Sequence, residues 1–158
     1  STIINFLKKN GITDSEITTS APQIIDMEAD RYSNNRVPYR YNVTSVVTVT
    51  STQIDKVREL MYRQTDLLKQ GIAISVGDYQ YRPQFMFTKL NDIKPEMIEQ
   101  ATKNARNAAV KFAKDSESEL GKIKTAYQGQ FSIDDRDANT PYIKKVRVVT
   151  TVDYYLKD

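Results

Sequence analysis

Asp135, Asp137 and Asn139, in the run "DRDANT", stand at the spacing of the first three ligands of a calcium loop. Such a loop also needs a glycine at its sharp turn and a bidentate carboxylate at its far end. Thr140 and Val146 occupy those two places. The run therefore reads as an acidic hairpin loop, and no metal is expected. A second cluster, Lys144, Lys145 and Arg147, is basic and lies among tyrosines, which could stack bases on a basic sheet. In a regular strand, however, Lys145 and Arg147 point away from Tyr142 and Tyr154. A solvated strand face is the better reading, and no nucleic acid is expected. Asn42-Val43-Thr44 has the form of a glycosylation sequon but falls inside a strand pattern, and it is set aside.

The missing residue types narrow the chemistry further. The chain has no His, Cys or Trp, which removes a Ser-His-Asp triad, a cysteine nucleophile, zinc sites built on His or Cys, and disulfides. Carboxylates, Lys, Tyr, Ser and Thr are left. With only five glycines and none clustered, there is no phosphate-cradling loop. No catalytic residue, cofactor ligand or metal ligand is singled out, no cofactor is expected, and the chain is expected not to be an enzyme. The ten tyrosines read as sheet and interface residues, because their rings pack while their hydroxyls reach water.

A chain of 158 residues, 39% apolar and 27% charged, can bury one ordinary core. A single domain over residues 1–158 is expected. The net charge of +3 is too mild to name a partner, and no run approaches the roughly 18 apolar residues of a membrane helix. Lack of cysteine says nothing about compartment.

Periodicity supplies the elements. Ile3, Ile4, Phe6 and Leu7 read as the end of a helix stopped at Gly11. An extended segment follows from about Ile17 to Asp26, then a polar loop over 27–38. Tyr39, Tyr41, Val43, Ser45, Val47 and Val49 alternate as one face of a strand. Ser51 or Thr52 caps a helix whose stripe is Ile54, Val57, Leu60, Met61, Leu67 and Leu68, ending at Gly71. Residues 72–90 alternate as another strand, kinked or bulged at Gly77 to Asp78 and irregular at Pro83. A helix starting near Pro95 carries Ile98, Ala101, Ala105, Ala108 and Phe112, with Ala109 and Ala113 beside them, and stops at Gly121. Its alanines make it thin enough to lie close to a sheet. Asp115, Glu117 and Glu119 sit at the unfavourable end of its dipole. Two last strands alternate through Ile123, Thr125, Tyr127, Gly129, Phe131 and Ile133, and through Tyr142, Val146, Val148, Thr150, Val152 and Tyr154. The fold class is α+β, a largely antiparallel sheet with about three helices packed on it, in the order α-β-β-α-β-α-β-β.

The stretch "ATKNARNAAVKFAKDSESELGKIKTAYQGQFSI" followed by "KKVRVVTTVDYYL" resembles the second half of the SIMPL domain family. "FLKKNGITDSEITTS" and "YRYNVTSVVTVTSTQIDKVRELM" resemble its earlier helix end, central strand and second helix. The resemblance implies a first strand ahead of this chain, hence an N-terminal truncation, and a sheet edge that pairs with another chain or is irregular and covered. It also implies a periplasmic or cell-envelope protein, working without catalysis through self-association into a homo-oligomer or through a protein partner, with a role in stress tolerance and a possible membrane association through the missing N-terminus. The family supplies no catalytic residues to carry over. The alternative is a small-ligand binding module using a cleft between the alanine-rich helix and the sheet. Third comes an enzyme using carboxylates or Lys in that cleft.

Overall fold

Left-handed residues end three of the helices, and each does so through the same pair of hydrogen bonds. Helix α1 spans Thr2–Lys9, and Gly11 follows it with φ 84°. The amides of Gly11 and Ile12 return to the carbonyls of Lys8 and Leu7 at 3.0 and 3.1 Å. This closure satisfies carbonyls that the helix leaves open and turns Ile12 inward, where it is only 2% exposed. Helix α2 (Ile54–Tyr62) breaks at Arg63, and α3 (Gln64–Lys69), which follows it, ends in the same way at Gly71, φ 78°, with the Ile72 amide on the Leu67 carbonyl. Helix α4 (Leu90–Asp115) ends at Glu117, φ 57°, with the Ser118 amide on the Ala113 carbonyl at 2.9 Å. Gly121, the expected stop, therefore lies further on, inside a strand.

The computed structural model describes residues 1–29, 38–75 and 79–157. The kink expected at Gly77 and Asp78 and most of the loop expected over 27–38 lie outside the described residues. The chain divides into two compact units, Ser1–Tyr81 and Arg82–Asp158. The architecture is α+β with antiparallel pairing, as expected, but the pairing is arranged in two-stranded ladders.

In the first unit, β1 (Ile17–Thr19) pairs with β4 (Val47–Val49), and β2 (Gln23–Asp26) pairs with β3 (Tyr41–Thr44). These are two stretches of one ribbon. Between Thr19↔Val47 and Gln23↔Thr44, the residues Ser20, Ala21 and Pro22 oppose only Ser45 and Val46. The Ser20 amide still reaches the Val46 carbonyl at 2.8 Å, and the Ser20 hydroxyl takes the Val46 amide at 2.9 Å. An extra residue on one strand bends and twists the ribbon there, and Pro22 could not donate to a regular ladder. The single strand expected over 39–49 is thus broken. Val47 and Val49 are half-buried, while Tyr39, Tyr41 and Val43, expected on the same covered face, are exposed.

Helices α1, α2 and α3 are held by Asn10 and Arg63. The Asn10 amide donates to the Phe6 carbonyl at 2.7 Å and accepts from the Arg63 guanidinium at 2.7 Å. That guanidinium also lies 5.6 Å from the Phe6 ring centroid. Leu60 and Leu67 are buried, at 7% and 4% exposure, whereas Leu68 and Met61 from the expected stripe face outward because the helix breaks at Arg63. Neither Ser51 nor Thr52 is the helix cap; Gln53 holds that position, and the Ser51 hydroxyl is engaged with Glu16.

The segment expected as a strand over 72–90 forms no ladder among its described residues. Tyr79–Tyr81 is instead a turn of 3-10 helix, and Pro83 has no amide to offer. Helix α4 starts at Leu90, earlier than expected, so Pro95 stands inside its second turn.

The second unit repeats the ribbon plan. Strand β5 (Glu119–Gln128) pairs with β8 (Thr150–Lys157), and β6 (Ser132–Asp135) pairs with β7 (Lys144–Arg147). Between Gln128↔Thr150 and Ser132↔Arg147, the residues Gly129, Gln130 and Phe131 oppose Val148 and Val149. The Gly129 amide reaches the Val149 carbonyl at 2.8 Å, the counterpart of the Ser20 bond. The sequence carries the same echo. Pro38, Tyr39, Val43, Val46, Thr48 and Val49 recur, at one fixed offset, as Pro141, Tyr142, Val146, Val149, Thr151 and Val152. Gly121 sits at a further irregularity of β5, where a Cβ would lie 2.6 Å from the Tyr155 carbonyl oxygen.

Helix α4 lies against β8 and β5. Its covered row is Ala101, Ala105, Ala109 and Ala113, the last only 2% exposed. Ala108 and Phe112, expected on the stripe, are exposed, Phe112 at 75%. Rows of every fourth residue run inclined to a helix axis, and such a row follows a twisted ribbon passing beneath it. The carboxylate at the helix end has a local partner, since Lys111 donates to Asp115 at 2.6 Å.

Candidate interaction surface

Beyond the break at Ser20–Pro22, the far end of the first ribbon is exposed. Ile24 and Val43 face each other across β2 and β3, with exposures of 66% and 59%. Tyr41, opposite Asp26, is 52% exposed, and Tyr39 is 54% exposed. The result is a row of large apolar side chains on one hairpin. A charged rim borders it. The Arg40 guanidinium lies 3.2 Å from Asp26, 3.7 Å from Glu28 and 5.1 Å from the Tyr41 ring centroid. The Asp26 carboxyl is held below its usual range, first by the Glu28 amide at 2.9 Å and then by Arg40. An apolar centre with a polar rim is the usual anatomy of a protein-binding patch. Asn42, the sequon residue, is exposed on β3 beside this row.

The corresponding end of the second ribbon is more covered. Val146 is half-buried and its partner Ile133 is 38% exposed. The Tyr142 ring meets the Phe85 ring edge-on at 6.0 Å and 66°. Lys94 stands 5.6 Å from the centroid of Phe131.

The residues of the calcium-like spacing have other employment. Asp137 accepts from the Thr140 hydroxyl at 2.5 Å, the Asn139 amide at 2.9 Å and the Arg136 guanidinium at 3.0 Å. These bonds, led by Thr140, lower its pKa to about 2 and close the turn between β6 and β7. Asp135 pairs with Lys144. Among the described residues, no cluster of three carboxylate, His or Cys groups is placed to hold a metal ion. Of the basic run, Lys144 is thus tied down, while Lys145 and Arg147 are exposed and alternate with half-buried Val146.

Glu16 is the other strongly shifted carboxylate. It accepts from the Ser51 hydroxyl at 2.5 Å, the Thr13 amide at 2.8 Å, the Thr13 hydroxyl at 2.9 Å and the Gln53 amide at 3.4 Å. Ser51 contributes most, and the pKa falls to about 2. Glu16 joins the start of β1 to the start of α2 and thereby fixes the near end of the first ribbon. Both carboxylates are organised as turn closures, and a carboxylate with so low a pKa is a weak base at neutral pH.

Sequence reasoning had named tyrosine faces and sheet edges without locating them. The signal that would have located them is the recurrence of Pro-Tyr-x-x-x-Val-x-x-Val-x-Thr-Val at 38–49 and 141–152, which a search for short periods passes over.

A family profile described as "SIMPL: Protein of unknown function (DUF541)" matches residues 1–154. The chain belongs to the SIMPL family. No curated protein matches it. The match runs through both units of this SIMPL protein and takes in both ribbons and their helices except the last three residues of β8. No helix among the described residues is long and apolar enough to cross a membrane.

Proposed function

We propose that this SIMPL protein acts without catalysis, by binding another protein surface, and that the open hairpin of β2 and β3 is its working face. The observation that carries the reading is the exposed row of Ile24, Val43, Tyr41 and Tyr39, bordered by Asp26, Arg40 and Glu28. Each of these side chains is little more than half exposed, so covering them recovers about half of the roughly 1.5–3 kcal/mol of a full apolar burial, and an interface can supply that cover. The close seating of the alanine row of α4 on its ribbon favours this reading over ligand binding in a helix–sheet cleft. The family resemblance adds a place and a setting: the periplasm or cell envelope, a homo-oligomer or a partner protein, and stress tolerance.

The test is light scattering and sedimentation of the chain across concentration, together with cross-linking in cell-envelope extracts. Association, with itself or with a captured partner, that weakens on Ile24→Thr and Val43→Thr supports the proposal. A strict monomer that captures nothing, or association indifferent to both substitutions, overturns it.

A further inference from the structure

The repeated ribbon allows one half of the molecule to instruct the other. Tyr39 and Tyr142 occupy the same place in the recurring segment, after Pro38 and Pro141 and ahead of Val43 and Val146. They differ in what covers them. Tyr142 is half-buried and meets the Phe85 ring, whereas Tyr39 is 54% exposed. The apolar pair beside each tyrosine follows suit: Val146 is half-buried and Val43 is 59% exposed.

The cover in the second unit has a definite chemistry. Phe85 belongs to the segment 82–89, "RPQFMFTK", in which Phe85 and Phe87 are half-buried while Gln84, Met86 and Thr88 are exposed. That alternation is the signature of a strand laid along a surface, although the segment joins no ladder among the described residues. Cations bracket it, with Arg82 and Lys89 at its ends. The rim of the open face is complementary. Among the described residues it presents two carboxylates, Asp26 and Glu28, against one guanidinium, Arg40.

We infer that the Tyr39–Ile24–Val43 face is a seat for a strand-like segment of a partner protein that brings an aromatic ring to Tyr39 and a cation to the Asp26–Glu28 rim. The ring contact is the one that Phe85 makes with Tyr142, supplied from another molecule. The inference rests on the protein-binding reading above and adds the class of partner.

The probe is the synthetic peptide Arg-Pro-Gln-Phe-Met-Phe-Thr-Lys, added to the isotopically labelled full chain at up to about 1 mM, where weak peptide contacts become visible. Amide shifts at Ile24, Tyr39, Tyr41 and Val43 are expected. Alanine in place of the first Phe of the peptide, or Tyr39→Ala in the chain, should weaken binding about three- to tenfold, the worth of one edge-on ring pair. Tyr39 is exposed, so Tyr39→Ala leaves the fold intact, and its undisturbed spectrum elsewhere verifies that. Tyr142→Ala should leave the shifts in the first unit in place. Shifts confined to the surroundings of Tyr142, shifts indifferent to Tyr39→Ala, or none at all overturn the inference. So do concentration-dependent shifts at the same residues without peptide, which would make a second copy the occupant. Light scattering on the same samples separates the two proposals: association that survives Tyr39→Ala removes this seat and leaves the protein-binding reading standing.

Discussion

Gly71→Ala and Glu117→Gly form a matched pair, because the two positions play the same role at two helix ends with opposite residue choices. At Gly71 the backbone is left-handed, φ 78°, and an added Cβ would meet nothing within 4 Å. The cost of alanine there is therefore conformational alone, about 1–2 kcal/mol for an L-residue in this region. The loss of unfolded-chain entropy offsets about 0.4–1 kcal/mol of it. A net destabilisation of about 1 kcal/mol is expected. Glu117 already bears the penalty, at φ 57°. Glycine removes it and costs the same entropy, so Glu117→Gly should stabilise by about 0.5–1 kcal/mol. The substitution also deletes a negative charge from a helix C-terminus, worth a few tenths of a kcal/mol by itself. Glu117→Ala isolates that charge, because it keeps a Cβ, and the Ala-to-Gly difference is then the backbone contribution. Urea unfolding followed by far-UV circular dichroism measures all three variants, with thermal midpoints expected to move by about 2–4 °C per kcal/mol for a chain of this size. A Glu117→Gly variant no more stable than Glu117→Ala, or a neutral Gly71→Ala, would refute the assignment of these helix ends.

The Glu16 cluster gives a pH dependence whose sign follows from the lowered pKa. The carboxyl falls from an ordinary value of 4.5 to about 2 on folding, so its stabilisation is complete above pH 4.5 and disappears as the pH falls towards 2. The denaturation midpoints of the wild type and Glu16→Gln should therefore differ at pH 6 and converge near pH 2. Ser51→Ala should raise the Glu16 pKa measured by carboxyl NMR, since Ser51 is its strongest partner. Gly121→Ala places a Cβ 2.6 Å from the Tyr155 backbone oxygen, which a β5–β8 ladder cannot yield cheaply; a loss of more than about 1 kcal/mol in urea unfolding is expected. Ala113→Leu forces three carbons into the contact between α4 and its ribbon and should cost about 1–3 kcal/mol by the same assay.

Local chemistry in the sequence was legible where it acts over a few residues. Gly11 and Gly71 stop their helices because only a residue tolerant of positive φ closes that end cheaply, and both were readable. Glu117 was not readable, because nothing in its type announces a left-handed backbone; the bonds from Glu117 and Ser118 back to Lys114 and Ala113 impose it. The alanines of α4 announced a thin helix, but 3.6-residue periodicity fits both the Ala108–Phe112 side and the Ala109–Ala113 side. The twist of the ribbon decides between them, and twist is a tertiary quantity. The last strand was legible even as a face, since Tyr142, Val146, Val148, Thr150, Val152 and Tyr154 are all half-buried, whereas 72–90 alternates and joins no ladder among its described residues. The other strands were legible as strands and not as faces. Alternation presumes an unbroken pleat, and in each ribbon one strand carries an extra residue, Ser20–Pro22 in the first and Gly129–Phe131 in the second, that interrupts its own phase.

The break also marks where the candidate surface begins. Tyr39, Tyr41, Val43, Val47 and Val49 would bury together on a regular strand, and the sequence is written as though they did. Three residues against two at Ser20–Pro22 separate Val47 and Val49, half-buried, from Tyr39, Tyr41 and Val43, exposed. The second ribbon has the same break and keeps its own Tyr142 and Val146 half-buried, with the Phe85 ring against Tyr142. A break of this kind is therefore compatible with a covered hairpin when an aromatic segment is available to it. The difference between the two halves among the described residues is one of cover, and the proposed partner segment would give Tyr39 the cover that Phe85 gives Tyr142.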